Sequence, residues 1–238
     1  MKKMLLIFTL LLFMFGCSKR RINDEQLQLR GELRYEINAT KPFTGIAVIL
    51  YSSGQINCEA TFKKGKEEGK QTTYYKNGQI KMEGIFKDGK RDGKITEWYE
   101  NGQIDYIRYY REGKLNGKVI SWYENGQLSL TMKSKNDKPE GKFTKWYENG
   151  QKWGEGYYKD GKLNRKITEW YENGQKKIER YLREGKVNGK GTTWYENGQI
   201  SGEGYYKDGK LNGKLTGWNE NGQMILEETY KDGELVVD

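Results

Sequence analysis

The sequence predicts an all-β chain: an elongated, twisted antiparallel meander of about eight 24-residue β-hairpin repeats, preceded by a signal-peptide helix. Three observations carry this. The glycine of Asn-Gly-Gln recurs at Gly78, Gly102, Gly126, Gly150, Gly174, Gly198 and Gly222, a constant spacing of 24, and Gly54 in Ser53-Gly54-Gln55 adds an eighth copy. A second glycine keeps the same period at Gly65, Gly89, Gly113, Gly161, Gly185, Gly209 and Gly233. Tryptophan follows it at Trp98, Trp122, Trp146, Trp170, Trp194 and Trp218. So strict a period marks an array of units. Asn-Gly and Asp-Gly between strand-like residues signal hairpins, so each unit divides into two short strands and two tight turns.

The N-terminal elements come first. Met1-Lys2-Lys3 is followed by an apolar run from Met4 to Phe15, broken only by Thr9. The run is shorter than the ~20 residues a membrane span needs and fits a secretory signal. Met14-Phe15-Gly16-Cys17-Ser18 resembles a bacterial lipoprotein signal, with Gly16 before the cut and Cys17 as the lipidated first residue of the mature chain. That resemblance implies a membrane anchor through Cys17 and a place in the bacterial cell envelope, at the outer membrane if the source is diderm. The chain is thus expected to divide into a signal peptide at 1–16, a polar tether at 17–30 and a repeat array with its N-terminal cap at 31–238.

The turns set the register and the register sets the faces. With Asn197-Gly198 as a two-residue loop, Glu196 faces Gln199, Tyr195 faces Ile200, Trp194 faces Ser201 and Gly189 pairs with Tyr206. Around Asp208-Gly209, Tyr206 pairs with Leu211 and Gly204 with Gly213. One face then carries Tyr195, Ile200, Tyr206 and Leu211 among glycines, and is expected to be the better buried. The other carries Trp194, Glu203, Lys190 and Tyr205. A bulge at Asn212-Gly213 would shift the pairing by one residue.

Three departures stand out. Residues 129–139 lack the aromatic pair, place Asp137 where the turn glycine belongs and hold Pro139, which predicts a bend or a loosened hairpin. Arg165 replaces the glycine of Gly141 and Gly189, which weakens close backbone approach. Asn219 replaces the tyrosine of Tyr195.

Composition narrows the function. The formal charge is +9, with 42 basic residues interspersed among 33 acidic ones, which reads as a solvated mixed surface with no nucleic-acid partner expected. Mean hydropathy is −1.00, yet 13% of the chain is aromatic, and periodic aromatics bury large areas. Histidine is absent, which removes the commonest general base and metal ligand. Carboxylates such as Glu203 recur as a row beside lysines, so none is singled out for catalysis. Cys58 stands without a histidine to activate it and reads as a half-buried strand cysteine. No enzyme activity, metal or cofactor is expected.

The pattern G-K-x-x-x-W-Y-E-N-G-Q followed by Y-Y-K-D-G-K-x-N-G resembles the MORN repeat in its bacterial variant, over about residues 42–238. Such arrays behind a lipoprotein signal look like the YwqK-family antitoxins of toxin–antitoxin systems. That resemblance implies a protein that neutralises a cognate toxin by masking it. The repeat surface itself points to a non-enzymatic rod that binds or scaffolds another protein. Trp98, Trp122, Trp146, Trp170, Trp194 and Trp218 are the candidate binding residues, because tryptophan anchors interfaces; alternatively they only cover the sheet. A third reading is binding of anionic phospholipid or another polyanion by turn lysines such as Lys207 and Lys210.

Overall fold

The structure is a computed structural model that describes residues 19–237. The signal-peptide segment and the lipidation site Cys17 lie outside the described residues. Strand β1 (Arg21–Asn23), a 3-10 turn at Asp24–Gln26, and the hairpin β2 (Leu27–Arg30) and β3 (Leu33–Glu36) precede the array. The array opens with β4 (Gly45–Leu50), β5 (Ile56–Lys63), β6 (Lys66–Tyr74), β7 (Ile80–Lys87) and β8 (Lys90–Trp98). It continues through β9 (Ile104–Arg111), β10 (Lys114–Trp122), β11 (Leu128–Lys135), β12 (Lys138–Trp146), β13 (Lys152–Lys159) and β14 (Lys162–Trp170). It ends with β15 (Lys176–Arg183), β16 (Lys186–Trp194), β17 (Ile200–Lys207), β18 (Lys210–Trp218), β19 (Met224–Lys231) and β20 (Glu234–Leu235).

β1 and β4 to β20 form one sheet of 18 strands, and β2 and β3 pair separately. β1 pairs parallel with β4, and from β4 onward each strand pairs antiparallel with the next. The result is the unclosed, elongated meander that the 24-residue period predicts. At about 4.8 Å per strand the sheet runs roughly 80 Å.

Residues 21–30, expected as part of a tether, are folded into the cap. Leu27 is buried with Phe43, Ala47, Ala60 and Phe62, and Ile22 packs against them. The Phe43 and Phe62 rings meet at 5.9 Å between centroids. Arg20 makes a bidentate ion pair with Glu36 at 2.8 Å, which ties the chain entering β1 to the cap hairpin. Burying these apolar side chains and pairing β1 with the first array strand outweighs the polar character of the stretch.

The two turn families differ. Lys207 pairs with Lys210 around Asp208 (φ +50) and Gly209 (φ +90), the two-residue loop expected there. The Asn-Gly turns correct the sequence reading. Tyr195 N–H donates to the Gln199 carbonyl at 2.8 Å and Gly198 N–H to the Tyr195 carbonyl at 2.9 Å, so the loop has three residues, Glu196-Asn197-Gly198. Gly198 takes φ +86, while Asn197 is not among the residues with positive φ. Trp194 therefore pairs with Ile200, not Ser201, and Ser201 becomes a one-residue bulge that restores the expected Gly189–Tyr206 pairing.

A second bulge lies at Asn212-Gly213. Tyr206 pairs with Leu211 as expected, but Gly204 pairs with Leu215, so the slip is two residues and each side chain keeps its face. Gly213 takes φ +130, which only glycine tolerates readily. The bulge leaves the Leu211 carbonyl for the next turn, whose Gly233 N–H donates to it at 2.8 Å. Gly209 likewise donates to Val187 at 2.9 Å and Gly185 to Leu163 at 2.8 Å.

The hairpin of residues 129–139 is not loosened. Asn136 (φ +49) and Asp137 (φ +65) form the turn without glycine, as Asn and Asp can. The Asp137 carboxylate accepts from Leu115 N–H at 2.8 Å. Ser134 pairs with Pro139, and the turn-flanking pair is Lys135–Lys138. Pro139 therefore occupies a non-hydrogen-bonded site, where its missing N–H costs no bond to β11.

Both faces are partly covered. The tyrosine–leucine–glycine face holds Ile95, Val119 and Phe143, each buried. Phe143 lies over Gly156, where a Cβ would meet the ring at 2.8 Å.

Candidate functional site

Each unit grips the next through its Tyr-x-Asn-Gly turn. The Tyr147 hydroxyl donates to the Trp170 carbonyl at 2.8 Å, Tyr171 to Trp194 at 2.8 Å and Tyr195 to Trp218 at 2.8 Å. Tyr75, Tyr99 and Tyr123 do the same to Trp98, Trp122 and Trp146, and Tyr51 to Tyr74. The asparagine works in both directions. Asn197 Oδ1 accepts from Gln199 N–H at 2.9 Å, and its Nδ2 donates to the Glu220 carbonyl at 3.0 Å. Sequence reasoning took the asparagine for its backbone freedom and missed this bridge. The tyrosine clamp had a visible signal, the tyrosine that directly follows five of the six periodic tryptophans; the asparagine bridge had none. Asn219, at that tyrosine position, bonds back to its own turn through Asn221 and Gln223 N–H.

The clamp tyrosines predict a response to alkaline pH. Burial pushes the Tyr99 hydroxyl up to about 12, and Asp105 beside it adds to the rise. Burial likewise raises Tyr75, Tyr123 and Tyr147. Each must keep its proton to donate. The folded value lies above the unfolded value near 10, so this stabilisation is complete below about pH 10 and is lost as pH climbs toward 12. The thermal midpoint of the native chain should fall across that window, and a Tyr99→Phe variant should lose its share of the fall.

The six candidate tryptophans lie at strand ends on the face that also carries Thr, Glu, Lys and Tyr205. They are half-buried. Lys152 Nζ lies 5.5 Å from the Trp170 ring and Lys176 Nζ 5.3 Å from the Trp194 ring. The most exposed aromatics of this face are tyrosines: Tyr181 at 46% and Tyr205 at 49%. The turn glycines Gly78, Gly102, Gly126, Gly150, Gly174, Gly198 and Gly222 all take positive φ, between +77° and +86°.

Along the middle of the face runs a ladder in which Thr192 pairs with Glu179 and Glu203, and Thr168 with Glu155 and Glu179. The threonines are buried and the carboxylates take lysines. Lys190 reaches Glu203 at 2.6 Å, while Lys166 and Lys176 reach Glu179 at 2.8 and 3.0 Å. Burial opposes the charge on Glu155 and Glu179, but hydrogen bonds from these lysines and from Lys152 and Lys142 hold both carboxyls below their usual range. Such exposed pairs add little stability each; they keep the face charged and balanced. Lys207 and Lys210 flank Asp208 on the opposite edge, apart from the tryptophans.

Cys58 is buried, and Gln71 Nε2 donates to its Sγ at 3.7 Å. Burial pushes the thiol up, which disfavours the thiolate that nucleophilic chemistry uses. Among the described residues no group of three or more Cys, Asp and Glu side chains is placed to hold a metal ion.

Residues 67–88, 91–112, 115–136, 139–160, 187–208 and 211–232 match the family described as MORN repeat variant. The chain belongs to that family. Each matched MORN unit runs from one Asp-Gly-type turn to the next. The matched stretches leave out 163–184, which keeps the 24-residue spacing but carries Arg165 in place of glycine. No curated protein matches the chain. Among solved structures it is similar to a chain of the crystal structure of TcdB2-TccC3-Cdc42, at 12% identity and a TM-score of 0.22, over 80% of this chain and 12% of that one.

Proposed function

We propose that this MORN-variant array is the non-enzymatic, protein-binding rod of an envelope lipoprotein. The observation that carries the reading is the Trp-bearing face, which repeats half-buried tryptophans, exposed tyrosines and balanced Lys–Glu pairs along one long sheet. MORN repeats suggest a binding or scaffolding role, and extended repeat surfaces suit partners that touch many units at once. Cys17 supplies the membrane anchor in this reading, and a partner would be another envelope protein.

The test combines address and binding. Intact-mass analysis of the native protein should find acylated Cys17, and a Cys17→Ala variant should leave the membrane fraction. Crosslinking in whole envelopes should then capture a discrete partner with the native chain and lose it with Trp146→Ala/Trp170→Ala, while circular dichroism shows the sheet intact. Retention of Met1 in a soluble protein would overturn the envelope reading and put the antitoxin reading in its place. Loss of the fold in the double variant, or an unchanged partner with the fold intact, would reduce the tryptophans to sheet cover.

A further inference from the structure

The sharpest departure from the repeat has a hollow of its own. Arg165 stands where neighbouring units have Gly141 and Gly189, and holds φ +67. Its guanidinium lies 4.5 Å from the centroid of the Tyr157 ring. It takes part in none of the ion pairs formed among the described residues. The stacked guanidinium covers Tyr157, which is half-buried where Tyr181 and Tyr205 are exposed.

Beside it opens a solvent-facing hollow of about 350 Å³, walled by Tyr157, Arg165 and Trp170, with buried Thr168 beneath. Lys142, Lys166 and Lys176 complete a lining in which four cations outnumber two carboxylates, Glu155 and Glu179. The lysines are already committed: Lys142 to Glu155 at 3.2 Å, and Lys166 and Lys176 to Glu179. The cation left without a carboxylate is Arg165.

We propose that this hollow binds an acidic sugar, a hexopyranose ring bearing a carboxylate. The planar guanidinium fork matches a carboxylate with two parallel hydrogen bonds. One side of the Tyr157 ring carries Arg165 and Trp170 has Lys152 Nζ at 5.5 Å, but both rings line the hollow and give the C–H face of a pyranose apolar surface to pack on. The Lys–Glu pairs at the rim present donors and acceptors of both signs, which ring hydroxyls use. The volume sits at the small end of ligand sites, right for one or two sugar rings. A compact anion such as phosphate would leave the aromatic walls idle. A purely apolar acid would desolvate the ion pairs without replacing their water. The sugar can come as a free monosaccharide or as a residue of a glycan; the chemistry is shared. The site requires no protein partner, so its failure leaves the protein-binding reading untouched.

The test is calorimetric titration of the full chain with glucuronate, with an oligoglucuronate and with glucose. Glucuronate should bind at least about tenfold more tightly than glucose, because glucose offers the guanidinium no carboxylate for a charge-assisted pair. Arg165→Gly restores the residue of the neighbouring units and relieves the positive φ, so it should keep the fold while weakening glucuronate about tenfold or more. Tyr157→Ala should weaken the acid as well. Equal affinity for the monosaccharide and the oligomer marks a free-sugar site; a tighter oligomer marks a glycan site. Binding of neither acid, equal binding of glucose and glucuronate, or an Arg165→Gly variant with unchanged affinity would overturn the proposal.

Discussion

Replacing Tyr99, Tyr123, Tyr147, Tyr171 and Tyr195 together by phenylalanine should destabilise the array by about 5 kcal/mol, roughly 1 kcal/mol for each hydroxyl lost. Each hydroxyl donates to the carbonyl of the tryptophan 23 residues on, at 2.7 to 2.8 Å. Phenylalanine keeps the ring and its packing, so the change isolates the hydrogen bond. Contacts between units run only to neighbours, and in such an array the losses sum along the chain. Urea unfolding is the direct measurement. Tyr147→Phe alone should lower stability by about 1 kcal/mol, and the fivefold variant should lose most of the cooperativity between units. A fivefold variant within about 1 kcal/mol of the native chain would mean that water satisfies these carbonyls equally well.

The second large effect is expected at Gly65, where the cap meets the array. Its N–H donates to the Phe43 carbonyl at 2.7 Å and its carbonyl accepts from Arg34 N–H at 2.9 Å. It holds φ +82, and a Cβ there would meet Leu33 Cβ at 2.9 Å, the Arg34 carbonyl at 3.0 Å and Pro42 Cβ at 3.0 Å. Two of those atoms are side-chain roots and one is backbone, so none can swing aside. Gly65→Ala should therefore cost about 3 kcal/mol, combining left-handed strain of about 1 kcal/mol with overpacking of about 2 kcal/mol. Gly78→Ala is the control. It has the same backbone strain, φ +86, but nothing within 4 Å of the added carbon, so it should cost only about 1 kcal/mol. Hydrogen exchange should show the Gly65→Ala loss at residues 27–43, as the cap loosens from the sheet.

The contrast between these glycines shows what the sequence could convey. The two glycine periods placed every long strand from β5 to β19 and both turn families. The pairing of Gly189 with Tyr206 followed from them, because strand parity survives an even slip and the one-residue bulge offsets the longer loop. The asparagine role was not legible. Asn-Gly is an equally good signal for a two-residue and a three-residue loop, and only the neighbouring unit shows that Asn197 bridges outward. The part that residues 21–30 play in the cap was missed for a similar reason. Parallel pairing of Arg21–Asn23 with β4 joins segments that no single hairpin turn connects, so no local pattern announces it. At the candidate sugar site, Arg165 was visible as a break in the glycine period. Its stacking on Tyr157 and the hollow beside it depend on geometry that composition does not carry.

The Tyr and Asn bonds also point one way along the chain. Donors lie in one unit and acceptors in the following one, as with Tyr147 to Trp170 and Asn149 to Glu172. A 24-residue segment could be spliced in or out between units from Tyr99 to Tyr195 and the tyrosine and asparagine donors would find the same acceptors. The molecule behaves as a ruler graduated in steps of about 10 Å, two strands per mark. Gene duplication or deletion could reset its reach while keeping the bonds that join unit to unit.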